Sequence, residues 1–208
     1  MILFFGWRIV FRTIGHGVFH CPHESADRDY RMRVARRWFH IFWLPIVPLK
    51  RFGEIVECET CNSRYEVDVL RIPTAAAIAD SLARAMRMSV IDILRASSAV
   101  SSLQHHAALA ILRRYVPHLS DNDLRTDVTS LETSSLHEHL QHIAPVLNDL
   151  GKESLVGNCA WVAVADGALN STGRIVLEQL GADLGMTPAH IRGVIDSVLE
   201  SAVSRGNG

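Results

Sequence analysis

Two cysteines separated by two residues, Cys58 and Cys61 in "CETC", have the spacing with which a tight turn delivers two thiolates to one metal ion. A third, Cys21, lies upstream in "HCPHES", beside Pro22 and among His16, His20, His23 and Glu24. Zinc gathers such sets into a tetrahedron, with sulfur about 2.3 Å from the ion and turn amides stabilising the thiolate charge. The place three residues after Cys21, where a partner cysteine would stand, holds Glu24. A fourth ligand is therefore sought among three residues. His23 ranks first, because its longer imidazole can reach round a tighter turn. Glu24 follows, in the register of the absent cysteine and with a harder oxygen donor. His20 is third, since an extended stretch turns it to the face opposite Cys21. The expected cofactor is one structural Zn²⁺ on Cys21, Cys58, Cys61 and either His23 or Glu24.

The remaining chemistry is thinner. "HEHLQH" (137–142) suggests a metalloprotease helix, but that needs a second histidine four residues after the first, and residue 141 is Gln. His142 lies five residues on from His137, about 140° round a helix. His139 and His142 share a face without a third ligand, so this stretch and His105-His106 read as solvated polar faces. Cys159, in "LVGNCAWVAVA", reads as a small buried residue. With no nucleophile–base pair, phosphate loop or open metal position, the chain reads as non-enzymatic.

The elements that must carry these residues change character near Pro73. Residues 1–72 hold 11 Lys/Arg against 8 Asp/Glu, and the remainder holds 10 against 14. Three of the four tryptophans and three of the four cysteines fall in the first stretch. Two domains are expected, 1–72 and 75–205, in an α+β chain. The first reads as short strands and turns, with "EIVECETCNSRYEVDVL" as two strands folded back around the cysteine pair. The prolines of "LPIVPL" exclude a central ladder position. The second reads as all-α, with Thr74, Ser120 or Asp121, Ser171 and Thr187 as N-caps, Pro188 at a first helical position, and a helix segmented at Pro145 and closed by Gly151. The tail "SRGNG" reads as frayed.

Four cysteines without a disulfide pattern, three of them beside histidines, point to a reducing, cytoplasmic setting. The apolar run "FHIFWLPIVPL" (39–49) is eleven residues long and carries two prolines. About twenty residues are needed to cross a bilayer, so a peripheral membrane contact is the most it offers. "RMRVARRW" (31–38) has arginines and flanking aromatics suited to nucleic acid, with Arg33, Arg36 and Arg37 as phosphate contacts. The acidic second stretch opposes that use, and alternating arginines equally describe an exposed strand face.

Phe5-Gly6, Cys21-Pro22, the aromatic run from Trp38 to Pro48, and Cys58/Cys61 followed by Tyr65 resemble a family of small bacterial zinc-ribbon domains over residues 3–70. That family's pattern is an "FG" strand, a CPxCG knuckle, an aromatic run ending in PxxP and a second CxxC. Glu24-Ser25 departs from it where Cys-Gly would stand. The resemblance implies a structural zinc without an open catalytic position. Further on, "WVAVADGALNSTGRIVLEQLGADLGMTPAHI", with Ala165-Asp166-Gly167-Ala168-Leu169 and Leu184-Gly185-Met186, resembles the TerB-like helical module of bacterial tellurite-resistance and stress proteins. The resemblance implies a binding or scaffold role with a protein partner. It also implies a metal near the Asp-Gly turn, for which this chain offers Asp166 and Asn170. The carboxylate expected in "NSTGR" is missing, and Asp166 also suits a turn in which Gly167 takes positive φ.

Overall fold

Four strands come first: β1 (Phe5–Cys21), β2 (Ala26–Ile41), β3 (Leu44–Cys58) and β4 (Arg64–Glu66). They form one antiparallel sheet in the order β1-β2-β3-β4. The structure, a computed structural model, describes residues 5–41, 44–97, 99–167 and 169–206; side chains are described except at 5–8, 39–41, 44–52 and 205–206. The apolar run 39–49, Ala168 and the last residues of the tail thus lie wholly or partly outside what is described. The chain divides into two compact units, Met1–Ala77 and Ile78–Gly208.

The strands are much longer than the short pieces expected from the sequence. β1 pairs with β2 from Phe5↔Ile41 to Cys21↔Ala26, with one irregularity between Thr13 and Gly15. Alternating β-branched, aromatic and arginine side chains sustain such a ladder, because arginine's long stem lies along apolar neighbours while its head stays wet. Gly17 is required by a close approach. A Cβ there would stand 2.9 Å from the Tyr30 ring, which crosses from the paired residue of β2. Pro45 and Pro48 lie in β3 opposite His40 and Trp38, beyond the reach of β4, which pairs only with Ile55–Glu57. They keep to an edge, as proline's missing N–H requires. After β4 the chain turns into a 3-10 segment, Val67–Arg71, where a continuing strand was expected.

The second unit is helical: α1 (Ala75–Arg95, which begins at the end of the first unit), α2 (Ser102–Leu112), α3 (Asp121–Ser130), α4 (Leu136–Ile143), α5 (Asp149–Ala163), α6 (Ser171–Asp183) and α7 (Pro188–Gly206). Its core gathers apolar residues from all seven, with α5 packed on α2, α6 and α7. Thr74, Ser120 and Thr187 accept bonds from Ala77, Asp123 and His190 amides, as their cap roles require. Two sequence expectations fail. Asn170, not Ser171, caps α6, its Oδ1 accepting from Gly173 N at 2.6 Å. Gly151 does not close a helix but sits in the first turn of α5, its N–H donating to the Asn148 cap. In both cases an asparagine one to three residues upstream is the N-cap, its side-chain oxygen taking the amide of the third helical residue.

α3 has one buried apolar residue, Leu124, and is held largely by polar groups of α1. Arg87 donates to both oxygens of Asp127, at 2.6 and 2.8 Å. Arg95 donates to the carbonyls of Asp127, Val128 and Leu131, acting as the C-terminal cap of α3.

α6 and α7 meet at Gly181. A Cβ there would stand 2.5 Å from Ile191 Cγ1 and 2.7 Å from its Cδ1. Gly181→Ala therefore sets two effects against each other: about 1 kcal/mol gained in helix propensity, and roughly 1–3 kcal/mol lost to overpacking. Contact with the branched end of Ile191 makes overpacking the larger. Urea unfolding should show a net loss of about 1 kcal/mol, and in an Ile191→Ala background, itself destabilised by about 2–5 kcal/mol, the same Gly181→Ala change should no longer destabilise; a stabilised single variant would contradict the packing.

Candidate metal centre

β1 and β3 run in the same direction, so the β1–β2 and β3–β4 turns open at the same end of the sheet. Each strand ends on a cysteine, Cys21 and Cys58. In the second turn Asn62 N donates to Cys58 O and Cys58 N donates to Ser63 O, both at 3.0 Å; Glu59 N donates to Asp29 O at 2.9 Å and ties the turn to β2. Each turn contains one non-glycine residue of positive φ, Ser25 at 50° and Asn62 at 58°. Each stands four residues after the cysteine that ends the strand.

The sulfurs of Cys21, Cys58 and Cys61 lie within 4.8 Å of one another. Cys21 Sγ and Cys61 Sγ are 3.7 Å apart. A tetrahedral zinc with sulfur at 2.3 Å demands an edge of about 3.8 Å, so this pair is spaced for an ion. A disulfide would need about 2.05 Å, and the cysteines are free thiols. Cys21 and Cys58 are fully buried in a small cluster with Phe19 and Val56, flanked by Tyr30, Tyr65, Val69 and Leu70. Phe19 meets Tyr30 edge-on, ring centroids 5.6 Å apart.

The electrostatics differ within the trio. Burial pushes the Cys58 thiol up, only partly offset by the amides of Cys61 and Thr60. The side chain and backbone of Ser63 bring the Cys61 thiol down to about 7. Cys61, half-buried, is thus the most readily ionised of the three thiols near neutral pH, and a bound cation would draw the protons from its neighbours. Tyr65 Oη lies 3.5 Å from Cys21 Sγ, and that contact together with burial raises the phenol's pKa. Were a metal held there, a tyrosine hydroxyl beside one of its sulfurs would be an outer-shell partner. The sequence marks Tyr65 only as an aromatic; its hydroxyl contact needs the fold.

His23, Glu24 and Cys61 form a second close group, also within 4.8 Å. His20 joins neither: its Nδ1 lies 3.3 Å from Asp27 Oδ1. In the helical unit, Asn170 Oδ1 is engaged in capping α6, while Gly167 has φ 115°, as the turn reading expected. Asp166 belongs to no close group of three metal-ligating side chains among the described residues. His139 and His142 likewise share no such group. His106, His137 and His142 are exposed, as a solvated face requires, though His137 Nδ1 lies 2.8 Å from Asp183 Oδ1; His139 is half-buried with Nε2 2.9 Å from the Ser81 carbonyl, and His105 departs from the expectation, buried with Nε2 2.6 Å from Asp121 Oδ1. Cys159 is fully buried, its thiol pushed up to about 12 by burial and by Asp92, which makes it inert.

One ladder rung from the cysteines, Glu57 is 4% exposed and accepts from Arg33 at 2.7 and 2.8 Å and from Arg64 at 2.9 Å, with Arg31 at 3.7 Å. The Arg33 and Arg64 guanidiniums also lie over the Phe11 ring, 5.1 and 5.0 Å from its centroid. Burial works to raise the Glu57 pKa, but the bonds and charges of Arg64 and Arg33 prevail and hold it below 4.5. A depressed carboxylate stabilises the fold above its unfolded value and loses that contribution as pH falls through the folded value. Acid unfolding followed by tyrosine fluorescence should therefore be steeper below about pH 4.5 than in Glu57→Gln; superimposable acid limbs would count against it.

Comparison with protein-family models, with curated proteins and with solved structures finds no match for this chain. No described helix is long and apolar enough to cross a membrane.

Proposed function

We propose that residues 1–72 are a zinc ribbon whose structural ion ties the two turns together. Residues 75–205 are then a TerB-like helical module, and the protein is a non-enzymatic binding or scaffold component of a bacterial stress response. The observation that carries this is the convergence of Cys21, Cys58 and Cys61 within 4.8 Å from two separate turns, two of the three wholly buried. The donor set suits zinc, which favours thiolates in closed tetrahedral sites. The ion would supply cross-linking rather than chemistry. Gly167 at positive φ in the α5–α6 connection and Gly185 at 73° before Met186 in the α6–α7 connection support the TerB-like reading. Reduced thiols support a cytoplasmic setting.

Nucleic-acid binding through residues 31–38 is less well supported. Arg33 is committed to Glu57, and Arg31 stands near both Glu57 and Glu59. The engaged guanidiniums have little free charge to offer a phosphate. Metal analysis of protein purified under reducing conditions should find one zinc per chain; metal-free protein that resists zinc loading ends the proposal.

A further inference from the structure

We propose that Glu24 completes the tetrahedron, so that the centre is a three-thiolate, one-carboxylate site with His23 outside it. This rests on the three cysteines being a metal site, and it reverses the order in which the sequence alone ranks the two residues.

The argument is one of backbone equivalence. In the second turn Cys58 is followed by Glu59, Thr60, Cys61 and Asn62; in the first, Cys21 is followed by Pro22, His23, Glu24 and Ser25. Asn62 and Ser25, fourth after their cysteines, both take left-handed backbone. Asparagine takes that backbone readily, whereas serine does so mainly where the surrounding structure imposes it, so Ser25 is held to the geometry of the second turn. A left-handed residue at that place reverses the chain so that the side chain before it is turned back towards the strand-ending cysteine. In the second turn that side chain is Cys61, one of the thiol trio. In the first it is Glu24. His23 corresponds to Thr60, a residue with no thiolate, imidazole or carboxylate to offer.

Exposure agrees. The Glu24 side chain is 28% exposed and that of His23 is 67% exposed. A carboxylate oxygen of Glu24 and a ring nitrogen of His23 both lie within 4.8 Å of Cys61 Sγ, so the backbone register and the exposure, and not proximity, separate the two. Arg28 Nη2 stands 3.7 Å from Glu24 Oε2, and His23 Nδ1 stands 3.5 Å from Oε1. Both are placed to orient the carboxylate from outside, as partners of metal-bound carboxylates do. His23 then serves as a positioning residue and not as a ligand. Since Cys21 and Cys58 are wholly buried, Glu24 and Cys61 form the solvent side of the ion. The weaker oxygen ligand sits where an incoming chelator would arrive, so this ion exchanges more readily than one held by four thiolates.

Cobalt(II) bound to the full chain is the test, because its sulfur charge-transfer and visible bands report the ligand set directly. His23→Ala should leave the sulfur charge-transfer and visible bands, and so the ligand set, unchanged, while as the loss of a positioning residue it weakens the competition with a chelator. Glu24→Ala should shift the visible bands and weaken cobalt binding at least tenfold, the lower end of what even an outer-shell loss costs. Glu24→Cys should raise the charge-transfer intensity by about one third, four thiolates replacing three, and resist the chelator better. A spectrum that moves with His23→Ala, or that stays fixed in Glu24→Ala, overturns the assignment. Absence of any charge-transfer band in the unsubstituted protein overturns instead the metal site on which it rests.

Discussion

Stripping the metal with a chelator, or substituting Cys58→Ser, is expected to unfold the N-terminal unit. Among the described residues its buried apolar set is small: Phe19, Cys21, Ala35, Val56 and Cys58. Two of those five are proposed ligands. Burial that small contributes only a few kcal/mol, at roughly 1.5–3 kcal/mol for each large side chain. Binding of structural zinc contributes on the order of 10–16 kcal/mol at neutral pH. The ion therefore outweighs the apolar cluster, and without it the cluster also contains thiols with no partner worth their burial. The near-ultraviolet dichroism of Tyr30 and Tyr65 should collapse on chelation and return with added zinc. The helical core shares no residue with the cysteine cluster, so the far-ultraviolet helix signal should persist. A near-ultraviolet spectrum indifferent to chelation would show that the sheet stands without metal.

The second large effect is expected at Arg87. Asp127, whose side chain is 10% exposed, receives two bonds from a guanidinium that is itself 34% exposed. Arg87→Ala leaves that carboxylate without its ion partner. Breaking a fully buried pair costs about 3–5 kcal/mol; the partial exposure of Arg87 lowers the expectation to about 2 kcal/mol. The loss should be concentrated in α3, since Leu124 is the one buried apolar residue that helix contributes. Hydrogen exchange should therefore quicken across Asp121–Ser130 well before it does in α5 or α7. Arg87→Lys should recover little, because a point ammonium cannot make the paired bonds of the fork. Uniform quickening over all helices would mean that α3 is not separately held.

The cysteine trio could be read in the sequence because CxxC spacing is local, and because a metal needs only that two such turns meet. The rank of the fourth ligand could not. It depends on Ser25 taking a backbone that nothing in serine's own preferences announces, and the matching conformation of Asn62 appears only in the fold. Helix existence followed from apolar periodicity, while their ends were set by competition between neighbours: Asn170 against Ser171, Asn148 against Gly151. His105 reads as exposed on a polar dipeptide, yet it is buried and meets Asp121, an exposed residue sixteen positions away. The length of the strands was missed for a similar reason. Arginines that look like solvated punctuation are tied to Glu57 by contacts 7 to 24 residues distant. Long-range polar pairing leaves no periodic trace.

The two edge prolines of β3 bear on how this chain behaves in company. Past Ile55 the outer side of β3 has no partner strand among the described residues, and a long unpaired ladder invites another molecule to add to it. Pro45 and Pro48 interrupt the run of backbone donors there. Replacing both with valine would restore a continuous hydrogen-bonding edge within an apolar sequence, the pattern that seeds fibrils. The stretch that is too short to cross a bilayer thus also carries two positions without a backbone donor, the kind of interruption that keeps an exposed strand from templating another.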